Sequence, residues 1–530
     1  MPKAYLVGSG VASLSAAAFL IREGGFSGSD ITILEEQDRM GGSLDAAGSP
    51  ETGYTMRGGR MFEVHFDCTY DLLESIPSLD DPAKSVTQDT FDFHEDFAWN
   101  DHARLIDKDG NKVEAHSMGF SERDRLELVK CVATPEKQLN GKRISDCFHP
   151  DFFTTNFWFM WCTTFAFEPW HSAIEFRRYL NRFVHLFKTF DTMSGIYRTK
   201  YNQYDSIVRP LLAWLDAQGV TIQLNTTVTD LVFASGNEVA VRALQWTRGG
   251  MSEQIPIGAD DLVFVTNGSM TADSTLGNTD TAPVLDTSHT AGSWRLWHTL
   301  AAKRPEFGRP SVFDSTIEDS VWGSFTVTTK DPAFFALMEE FSGSEAGKGG
   351  LITFKDSRWL LTIVLNHQPH FHGQPEDTFV WWGYALFPNK KGDHTGKTMA
   401  ESSGREILAE VLGHLHFDNV REQILNGSIV LPAMMPYITS QFLVRKSGDR
   451  PAVVPPGSTN LAFIGQYAEV PDDVVFTVEY SVRTAWTAVA QLLNLDRKPP
   501  AVYKGQHNPK VLVEALETLH RRQPAKASRS

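Results

Sequence analysis

The sequence predicts an α/β protein with a doubly wound parallel sheet, and its first 35 residues carry most of that prediction. Residues 4–7 form a short apolar run that indicates a buried strand, and Gly8-Ser9-Gly10 follows as a turn. Residues 11–24 have helical composition and end at a glycine pair, and residues 30–35 indicate a second strand rich in β-branched side chains. A strand, a glycine-rich turn, a helix and a strand in this order open a doubly wound sheet.

The later strands of this sheet are predicted far along the chain, so the domain is expected to be discontinuous. Short apolar runs return within residues 200–270 and again at 461–465, where a helical stretch follows. Between them lie segments rich in aromatic residues, which indicate a second domain of mixed α+β character. The predicted boundaries are residues 1–70, 200–275 and 445–495 for the first domain, 71–199 and 276–444 for the second, and 496–530 for a C-terminal helical segment.

Composition excludes several classes of protein. With 42% hydrophobic and 22% charged residues, the 530-residue chain is expected to be globular rather than disordered. Its formal charge of −16 argues against nucleic-acid binding, which needs a basic surface. The four cysteines show no CxxC spacing, so neither a disulfide scaffold nor a metal site is predicted. The first apolar run is too short for a signal peptide and no segment is long enough to span a membrane, so a cytoplasmic protein is expected.

The first turn and helix form a dinucleotide-binding fingerprint. Gly8 permits the tight turn, and Gly10 lets a pyrophosphate approach the N–H groups at the start of the helix. Ala12 and Ser13 are small enough for the helix to pack closely on the strand, although Ser13 stands where the G-x-G-x-x-G pattern has its third glycine. Glu35 ends the second strand, where its carboxylate can bind a ribose diol and would repel the 2′-phosphate of NADP. FAD or NAD is therefore predicted.

A second glycine pair favours FAD over NAD. Gly41-Gly42, followed by Ser43, comes soon after the acidic strand end, an arrangement more common in FAD oxidoreductases than in NAD dehydrogenases. A purely structural glycine turn is the remaining interpretation. Further candidates for contacts with FAD stand at the ends of later predicted strands; they are Val228, Asn267, Ser269 and Gly465.

Long strings of this sequence resemble the oleate hydratases, a family also called myosin-cross-reactive antigens. The strings are YLVGSGVASLSAAAFLI (5–21), RGGRMFEVHFDCTYDLLESIPSL (57–79), FAFEPWHSAIEFRRYLNRFVH (165–185), TKYNQYDS (199–206), VTNGSMT (265–271), NHQPHF (366–371) and FIGQYAEVPDDVVFTVEYSVRTA (463–485). The resemblance covers nearly the whole chain. It implies a Rossmann-like FAD-binding fold of the glutathione-reductase and amine-oxidase type. It also implies FAD-dependent hydration of the cis-9 double bond of a free fatty acid, which gives a 10-hydroxy acid.

The resemblance assigns catalytic roles that the chemistry requires. An isolated alkene is not electrophilic, so an acid must protonate one carbon while water reaches the other. Tyr179 matches the family's proton-donating tyrosine, and since a free phenol has a pKa near 10, an acidifying cation is expected from elsewhere in the fold. Met61 stands where the family has the glutamate assigned to water activation. The water is then expected to be positioned by backbone groups and the flavin region, with Glu63 as the alternative carboxylate and low activity as a third possibility.

The resemblance also implies the substrate and flavin contacts. Gln203 matches a residue near the substrate, and Asn366 and His370 match residues that hold the fatty-acid carboxylate. Val364 stands where the family usually has a threonine, so one hydroxyl donor is missing from this set. The aromatic-rich segments 151–170 and 359–387 are candidates for the lining of an acyl channel. The flavin contacts implied by the resemblance are Arg57, Gly58, Gly59 and Arg60, in a glycine loop, and Phe476 and Thr477 beside the isoalloxazine.

Three other functions fit parts of this pattern. They are a redox flavoenzyme such as a desaturase or amine oxidase, a flavin-dependent double-bond isomerase of fatty acids, and a non-catalytic FAD- or lipid-binding protein. The basic C-terminal tail, after an amphipathic stretch, is a candidate for peripheral contact with an anionic membrane. The expected partners are an unsaturated free fatty acid and no nucleic acid, and the protein is expected to be a monomer or a homodimer.

Overall fold

The structure is a computed structural model that describes residues 2–236 and 238–521. The strands of this part of the chain are β1 Ala4–Val7, β2 Ile31–Leu34, β3 Ala46–Ser49, β4 Gly53–Met56, β5 Leu105–Ile106, β6 Thr221–Gln223, β7 Thr227–Phe233, β8 Val241–Arg248, β9 Met251–Pro256, β10 Leu262–Thr266, β11 Thr275–Leu276, β12 Trp322–Thr329, β13 Ile352–Phe354, β14 Leu361–Val364, β15 Phe379–Ala385, β16 Ser428–Met435 and β17 Leu461–Ile464.

The helices are interspersed among these strands along the chain. They are α1 Val11–Arg22, α2 Asp67–Glu74, α3 Val86–Phe97, α4 Glu122–Ala133, α5 Glu136–Leu139, α6 Asn156–Phe165, α7 Ala173–Arg182, α8 Arg209–Ala217, α9 Gly292–Lys303, α10 Ser311–Asp314, α11 Ala333–Ser342, α12 Gly404–Leu415, α13 Arg421–Gly427, α14 Val478–Leu492 and α15 Pro509–Leu519. A π-helical turn, Tyr204–Val208, leads directly into α8. None of the helices in the described part of the chain has both the length and the apolar character needed to cross a bilayer.

A parallel sheet joins the three segments that the sequence predicted to share one domain. Its strand order is β17-β10-β1-β2-β6, and every neighbouring pair runs parallel. Because parallel strands end at the same edge, the residues that follow β1, β2, β10 and β17 meet there. These are the two fingerprint glycines, Glu35, Asn267 and Gly465. Helices α1 and α14 pack together beside this sheet, with Phe19 and Trp486 stacked at 4.8 Å between ring centroids.

A second sheet of seven strands has the order β11-β16-β12-β15-β14-β13-β5. It is antiparallel except for the pairing of β13 with β5. Its central strands are buried along their length, and β12 has no exposed residue. In the register of β12 with β15, Ser324 lies opposite Tyr384 and Thr326 lies opposite Trp382. Because Trp382 and Tyr384 are two residues apart on β15, they lie on the same face of the sheet. Smaller antiparallel pairings join β3 to β4 and β7, β8 and β9 to one another.

Candidate active site

Two adjacent cavities lie at the carboxyl ends of the parallel strands. The first has a volume of about 340 Å³ and is lined by the fingerprint turn, the end of β2 and the start of α14. The second has a volume of about 100 Å³ and lies between α6, α7 and the second sheet. Arg60, Phe476 and Thr477 line both. A molecule in the first cavity would therefore contact the same three residues as a molecule in the second.

The glycines of the first cavity shape a cradle for a backbone-bound ligand. Gly8 has a φ of +92° and donates its N–H to Leu34 at 2.8 Å, which holds the tight turn between β1 and α1. Gly10 precedes α1 without a side-chain cap, and a Cβ added to it would meet no atom within 4 Å. Gly41 donates its N–H to the Ser9 carbonyl at 3.2 Å and brings the second glycine pair against the first. The uncapped N–H groups of α1 thus meet open space, as an anion requires.

Glu35 lies at the edge of this cradle. Its carboxylate accepts hydrogen bonds from the Ser9 N–H and the Ser9 hydroxyl, each at 2.7 Å, and from the Gln37 N–H at 2.8 Å. Glu35 is therefore held in a fixed orientation on the cavity wall beside the glycine turn. A carboxylate there, next to an anion-binding helix start, matches the arrangement that binds the ribose of a dinucleotide.

Asn267 gives an independent sign that a polar molecule fits this cavity. It is fully buried, it lines the cavity, and neither its amide oxygen nor its amide nitrogen has a hydrogen-bond partner in the described part of the chain. A buried amide without partners costs stability unless a ligand or water satisfies it. The residues present thus fit a dinucleotide cofactor.

Most of the residues predicted to contact the cofactor line the first cavity. Those that do are Gly8, Gly10, Ala12, Glu35, Gly42, Ser43, Arg60, Val228, Asn267, Ser269, Gly465, Phe476 and Thr477. Ser13 lies behind the wall, with its hydroxyl 3.1 Å from that of Thr266, and Arg57 is paired with Asp45 at 3.2 Å. Gly59 lines the second cavity, whereas Gly41 and Gly58 line neither. Thr266, Met270 and Ser481 also line the first cavity; they lie within the strings that resemble the family but were not named as cofactor contacts.

The predicted catalytic and substrate-binding residues line the second cavity. Its lining includes Met61, Glu63, Tyr179, Gln203, Val364, Asn366 and His370. Aromatic side chains form much of the rest of the wall, and they come from several other segments as well as from α6 and the second sheet. The aromatic segments of the sequence thus contribute to the channel through a few members, which are Phe165, Trp382 and Tyr384. Trp322 and Arg198 also line it and were not predicted.

Tyr179 is buried in an aromatic cage. Its side chain is 1% exposed, and its ring lies 5.0 Å from Phe165, 5.3 Å from Phe183 and 5.6 Å from Phe442. Its hydroxyl donates to the carbonyl of Val475. Burial, with smaller contributions from nearby carboxylates, raises the Tyr179 pKa well above 10, so the phenol is protonated at neutral pH.

The cation expected from elsewhere in the fold is Arg450, but its effect on Tyr179 is outweighed. Arg450 does lower the Tyr179 pKa, but desolvation and the charges of Glu175 and Asp473 outweigh it. Glu175 lies four residues before Tyr179 on α7 and pairs with Arg450 at 2.9 Å. The Glu175 carboxylate therefore largely compensates the effect of the Arg450 charge on the phenol. The sequence could not show this, because Arg450 is far along the chain.

Ion pairs fix the orientation of α7 and therefore of Tyr179. Arg178 is bound by Glu136 at 2.8 Å and by Glu469 at 2.7 Å. Arg182, one turn beyond Tyr179, lies 2.8 Å from Glu63, and both side chains are 1% exposed. Buried pairs of this kind define one geometry more than they add stability. They hold the helix that presents Tyr179 to the cavity.

Arg182 and neighbouring hydrogen-bond donors engage Glu63. Besides Arg182, its carboxylate accepts from His185 at 3.0 Å and from the His65 N–H at 2.8 Å. Although burial opposes ionisation, these partners hold the Glu63 pKa below its ordinary value. Met61, two residues earlier, is half-buried and offers only a thioether to the cavity. The Glu63 carboxylate is therefore held by its neighbours in this geometry.

Gln203 binds the glycine loop instead of pointing freely at a substrate. Its Oε1 accepts from the Arg60 N–H at 3.1 Å, and its Nε2 donates to the Arg60 carbonyl at 3.3 Å. The two bonds fix the residue that separates the two cavities. The Arg60 guanidinium lies 5.3 Å from the ring of Phe476, across the boundary. Gln203 thus positions the wall between the two cavities.

Comparison with known proteins identifies relatives along almost the whole chain. The family model described as the MCRA family matches residues 1–490. An oleate hydratase from Streptococcus pyogenes is 40% identical over 98% of this chain and 89% of its own length. A linoleate hydratase from Lactiplantibacillus plantarum is 32% identical over 98% of both chains.

Solved structures with low sequence identity share the fold. Cyclohexylamine oxidase from Brevibacterium oxydans matches with a TM-score of 0.53 and 12% identity over 93% of this chain and 99% of its own. An oxidoreductase from Methanosarcina mazei matches with a TM-score of 0.50 and 12% identity over 91% and 98%. The predicted fold class, a Rossmann-like architecture of the amine-oxidase type, is confirmed.

Proposed function

Because the chain belongs to the MCRA family, we propose that it is an FAD-dependent hydratase of free unsaturated fatty acids. The reaction adds water across the cis-9 double bond of oleic acid and similar acids and gives 10-hydroxy acids. The observation that carries this proposal is the position of Tyr179, a protonated phenol on the wall of an aromatic cavity that adjoins the dinucleotide cavity.

FAD is the cofactor that the first cavity fits best. The N–H groups at the start of α1 would hold its pyrophosphate, Glu35 its ribose and Asn267 a polar edge of the flavin portion. Bound there, FAD would supply π-electron density to the site. The net reaction transfers no electrons, so no electron acceptor is needed. Arg60 and Phe476 line both cavities and would hold the two ligands side by side.

The hydration step uses the Tyr179 proton and a positioned water. The Tyr179 O–H protonates one alkene carbon, the oxygen of water bonds to the other, and the water proton returns to the phenolate. The high pKa of Tyr179 makes donation costly but makes its phenolate a strong base for the return step. The faces of the neighbouring aromatic rings stabilise the cationic transition state.

Water activation without the family glutamate follows from the same geometry. The thioether of Met61 is a weak acceptor and takes no proton at neutral pH. The Glu63 carboxylate is bound by Arg182 and His185 and is not free to serve as a base. We therefore propose that backbone groups near Arg60 position the water. The cationic centre that forms when the alkene is protonated is reactive enough for this water to add without a strong base.

The remaining parts of the proposal concern the organisation and surroundings of the protein. We propose the domain boundaries given from the sequence, with the second domain forming the acyl channel. We also propose a cytoplasmic monomer or homodimer that touches membranes through its C-terminal segment. Leu512, Val513 and Leu516 on α15 expose 39%, 54% and 50% of their surface, which supports this contact. The basic residues of the extreme C-terminus, from 522 onward, lie outside the described residues.

Product analysis of FAD-loaded protein incubated with oleate tests the proposal. A product heavier than oleate by one water supports hydration. An isomeric product of unchanged mass would identify an isomerase. The specific argument for that function is that Met61 stands where the family has its water-activating glutamate. A product lighter by two hydrogens would identify a desaturase. Omission of FAD is the matched control and is expected to abolish product.

A further inference from the structure

One end of the second cavity carries several polar atoms that no residue satisfies. They belong to the loop after β14, and they are Nδ2 of Asn366, Nδ1 of His367 and Nε2 of His370. All three are buried and lack a hydrogen-bond partner in the described part of the chain. Buried polar atoms of this kind are normally satisfied by protein, water or a ligand. A polar group of a ligand is therefore expected at this end.

Arg198 lies at the same end and lines the same cavity. One of its terminal nitrogens donates to the carbonyls of Phe97 and Gly347. The Phe97 ring lies 4.4 Å from His367, so the guanidinium and the unsatisfied loop share a neighbour. The guanidinium also lies 4.7 Å from the ring of Trp99. These contacts hold it in place and leave its other two nitrogens without a hydrogen-bond partner among the described residues.

No carboxylate among the described residues pairs with Arg198, and its surroundings only desolvate it. Lys200, which also lines the cavity, is different because Asp80 pairs with it. Burial lowers the Arg198 pKa to about 9, which still leaves it charged at pH 7. Burial lowers the pKa of His367 to about 4 and that of His370 to about 3, so both are neutral there. The cavity thus contains an uncompensated positive charge beside neutral hydrogen-bonding groups.

We propose that Arg198 binds the carboxylate of the fatty acid and determines the selectivity of the enzyme for ionised free acids. Resting on the proposed function, the inference identifies the residue that supplies the charge at the acid-binding end. Val364 lines the same cavity and offers no hydroxyl, so neutral donors are fewer than in the family pattern. A guanidinium with free N–H groups replaces that donor with a stronger, charge-assisted one.

The charge of Arg198 is expected to discriminate between an ionised fatty acid and its ester. An ionised fatty acid compensates the part-buried charge of Arg198, whereas a methyl ester of the same acid leaves it unpaired. Hydrogen bonds to a charged group contribute more than neutral ones, and an unpaired buried partner adds a penalty. Oleate is therefore expected to bind about 10- to 100-fold more tightly than methyl oleate.

Direct binding measurements test the assignment without depending on turnover. Tryptophan fluorescence is titrated with oleate and with methyl oleate in the FAD-loaded protein, for the wild type, Arg198→Gln and Arg198→Lys. Arg198→Gln is expected to weaken oleate binding about 10- to 100-fold and to leave methyl oleate binding within about threefold. Arg198→Lys, which keeps the charge but loses the planar guanidinium that lies over Trp99, is expected to recover part of the loss.

Lys348→Gln is the matched control. Its ammonium lies 5.3 Å from the same Phe97 ring, but it is on the surface, 3.1 Å from Glu345, and does not line the cavity. Its affinity for oleate is expected to equal that of the wild type. Equal weakening of oleate and methyl oleate in Arg198→Gln would overturn the assignment, because it would indicate a structural role. Equal affinities of the wild type for oleate and methyl oleate would overturn the Arg198 assignment even if the variants fail to fold. If the protein binds oleate selectively yet makes no product, only the proposed function fails.

Discussion

The hydroxyl of Tyr179 donates a hydrogen bond to the carbonyl of Val475, 296 residues further along the chain. Val475 immediately precedes Phe476, whose φ of +70° is unusual for an aromatic residue and which lines both cavities. The donor tyrosine is thus bound to the segment that separates the cofactor cavity from the substrate cavity. The contact links Tyr179, the proton donor of the proposed mechanism, to the wall of the first cavity.

Removal of the Tyr179 hydroxyl is expected to abolish turnover while leaving the fold intact. Tyr179→Phe keeps the aromatic contacts and deletes the only atom that delivers the proton, so kcat should fall by about 10²- to 10⁴-fold. Tyr384→Phe is the control, since it deletes another buried hydroxyl of the same cavity that donates to a carbonyl, here that of Thr163. Hydroxy-acid formation is measured by GC–MS. Equal losses in both variants would argue against a special role for Tyr179.

Gly10→Ala is expected to impair cofactor binding without harming the protein. Gly10 has a φ of −69°, which alanine adopts freely, and the added methyl would meet no protein atom within 4 Å. It would instead occupy the space in front of the α1 N–H groups, so FAD affinity should fall at least about tenfold, or about 1.4 kcal/mol. Flavin fluorescence measures the affinity. Gly427→Ala, where the methyl would lie 3.6 Å from the Asp331 Cβ, is the control and should bind FAD normally.

Glu63→Gln separates a structural from a catalytic carboxylate. Neutralising Glu63 leaves the buried guanidinium of Arg182 without its anion, which should lower the free energy of unfolding by about 3 kcal/mol. Because Glu63 is not the base in this account, kcat per folded molecule should change by less than about threefold. Chemical denaturation gives the first quantity and GC–MS the second. A large loss of kcat with unchanged stability would identify Glu63 as the group that activates water.

Stability is expected to decrease in mild acid because buried histidines resist protonation. Burial lowers the pKa of His171 and His370 from 6.5 to about 3. The unfolded chain binds these protons first, so the free energy of unfolding falls as the pH drops from about 6.5 towards 3, by up to about 1.4 kcal/mol per pH unit for each histidine. His370→Gln should reduce the change in Tm between pH 7.5 and pH 5.5. His102→Gln, at an exposed position, should keep the wild-type change.

The sequence predicted which residues meet at the first cavity, because these parts are local. Gly8, Gly10 and Glu35 lie within one strand, helix, strand unit, and the pairing of β1 with β2 brings them together by register alone. Asn267 and Gly465 follow β10 and β17, which join the same sheet, so the parallel topology accounts for their positions as well.

The electrostatics of the second cavity could not be predicted in the same way. The partners of Glu63 come from α7 and the turn after it, and the charge near Tyr179 depends on Arg450, which pairs with Glu175. Arg198 shows no sequence signal, because its significance lies in the absence of a carboxylate from surrounding segments that are distant in sequence. Such features depend on tertiary packing and not on spacing along the chain.

The origin of the product oxygen tests the central claim most directly. FAD-loaded protein is incubated with oleate in H₂¹⁸O, and the products are analysed by GC–MS. The account predicts a hydroxy acid that carries one ¹⁸O at C10 and forms without consumption of an electron acceptor. A hydroxy acid with unlabelled oxygen, or none at all while FAD and oleate are both bound, would contradict it.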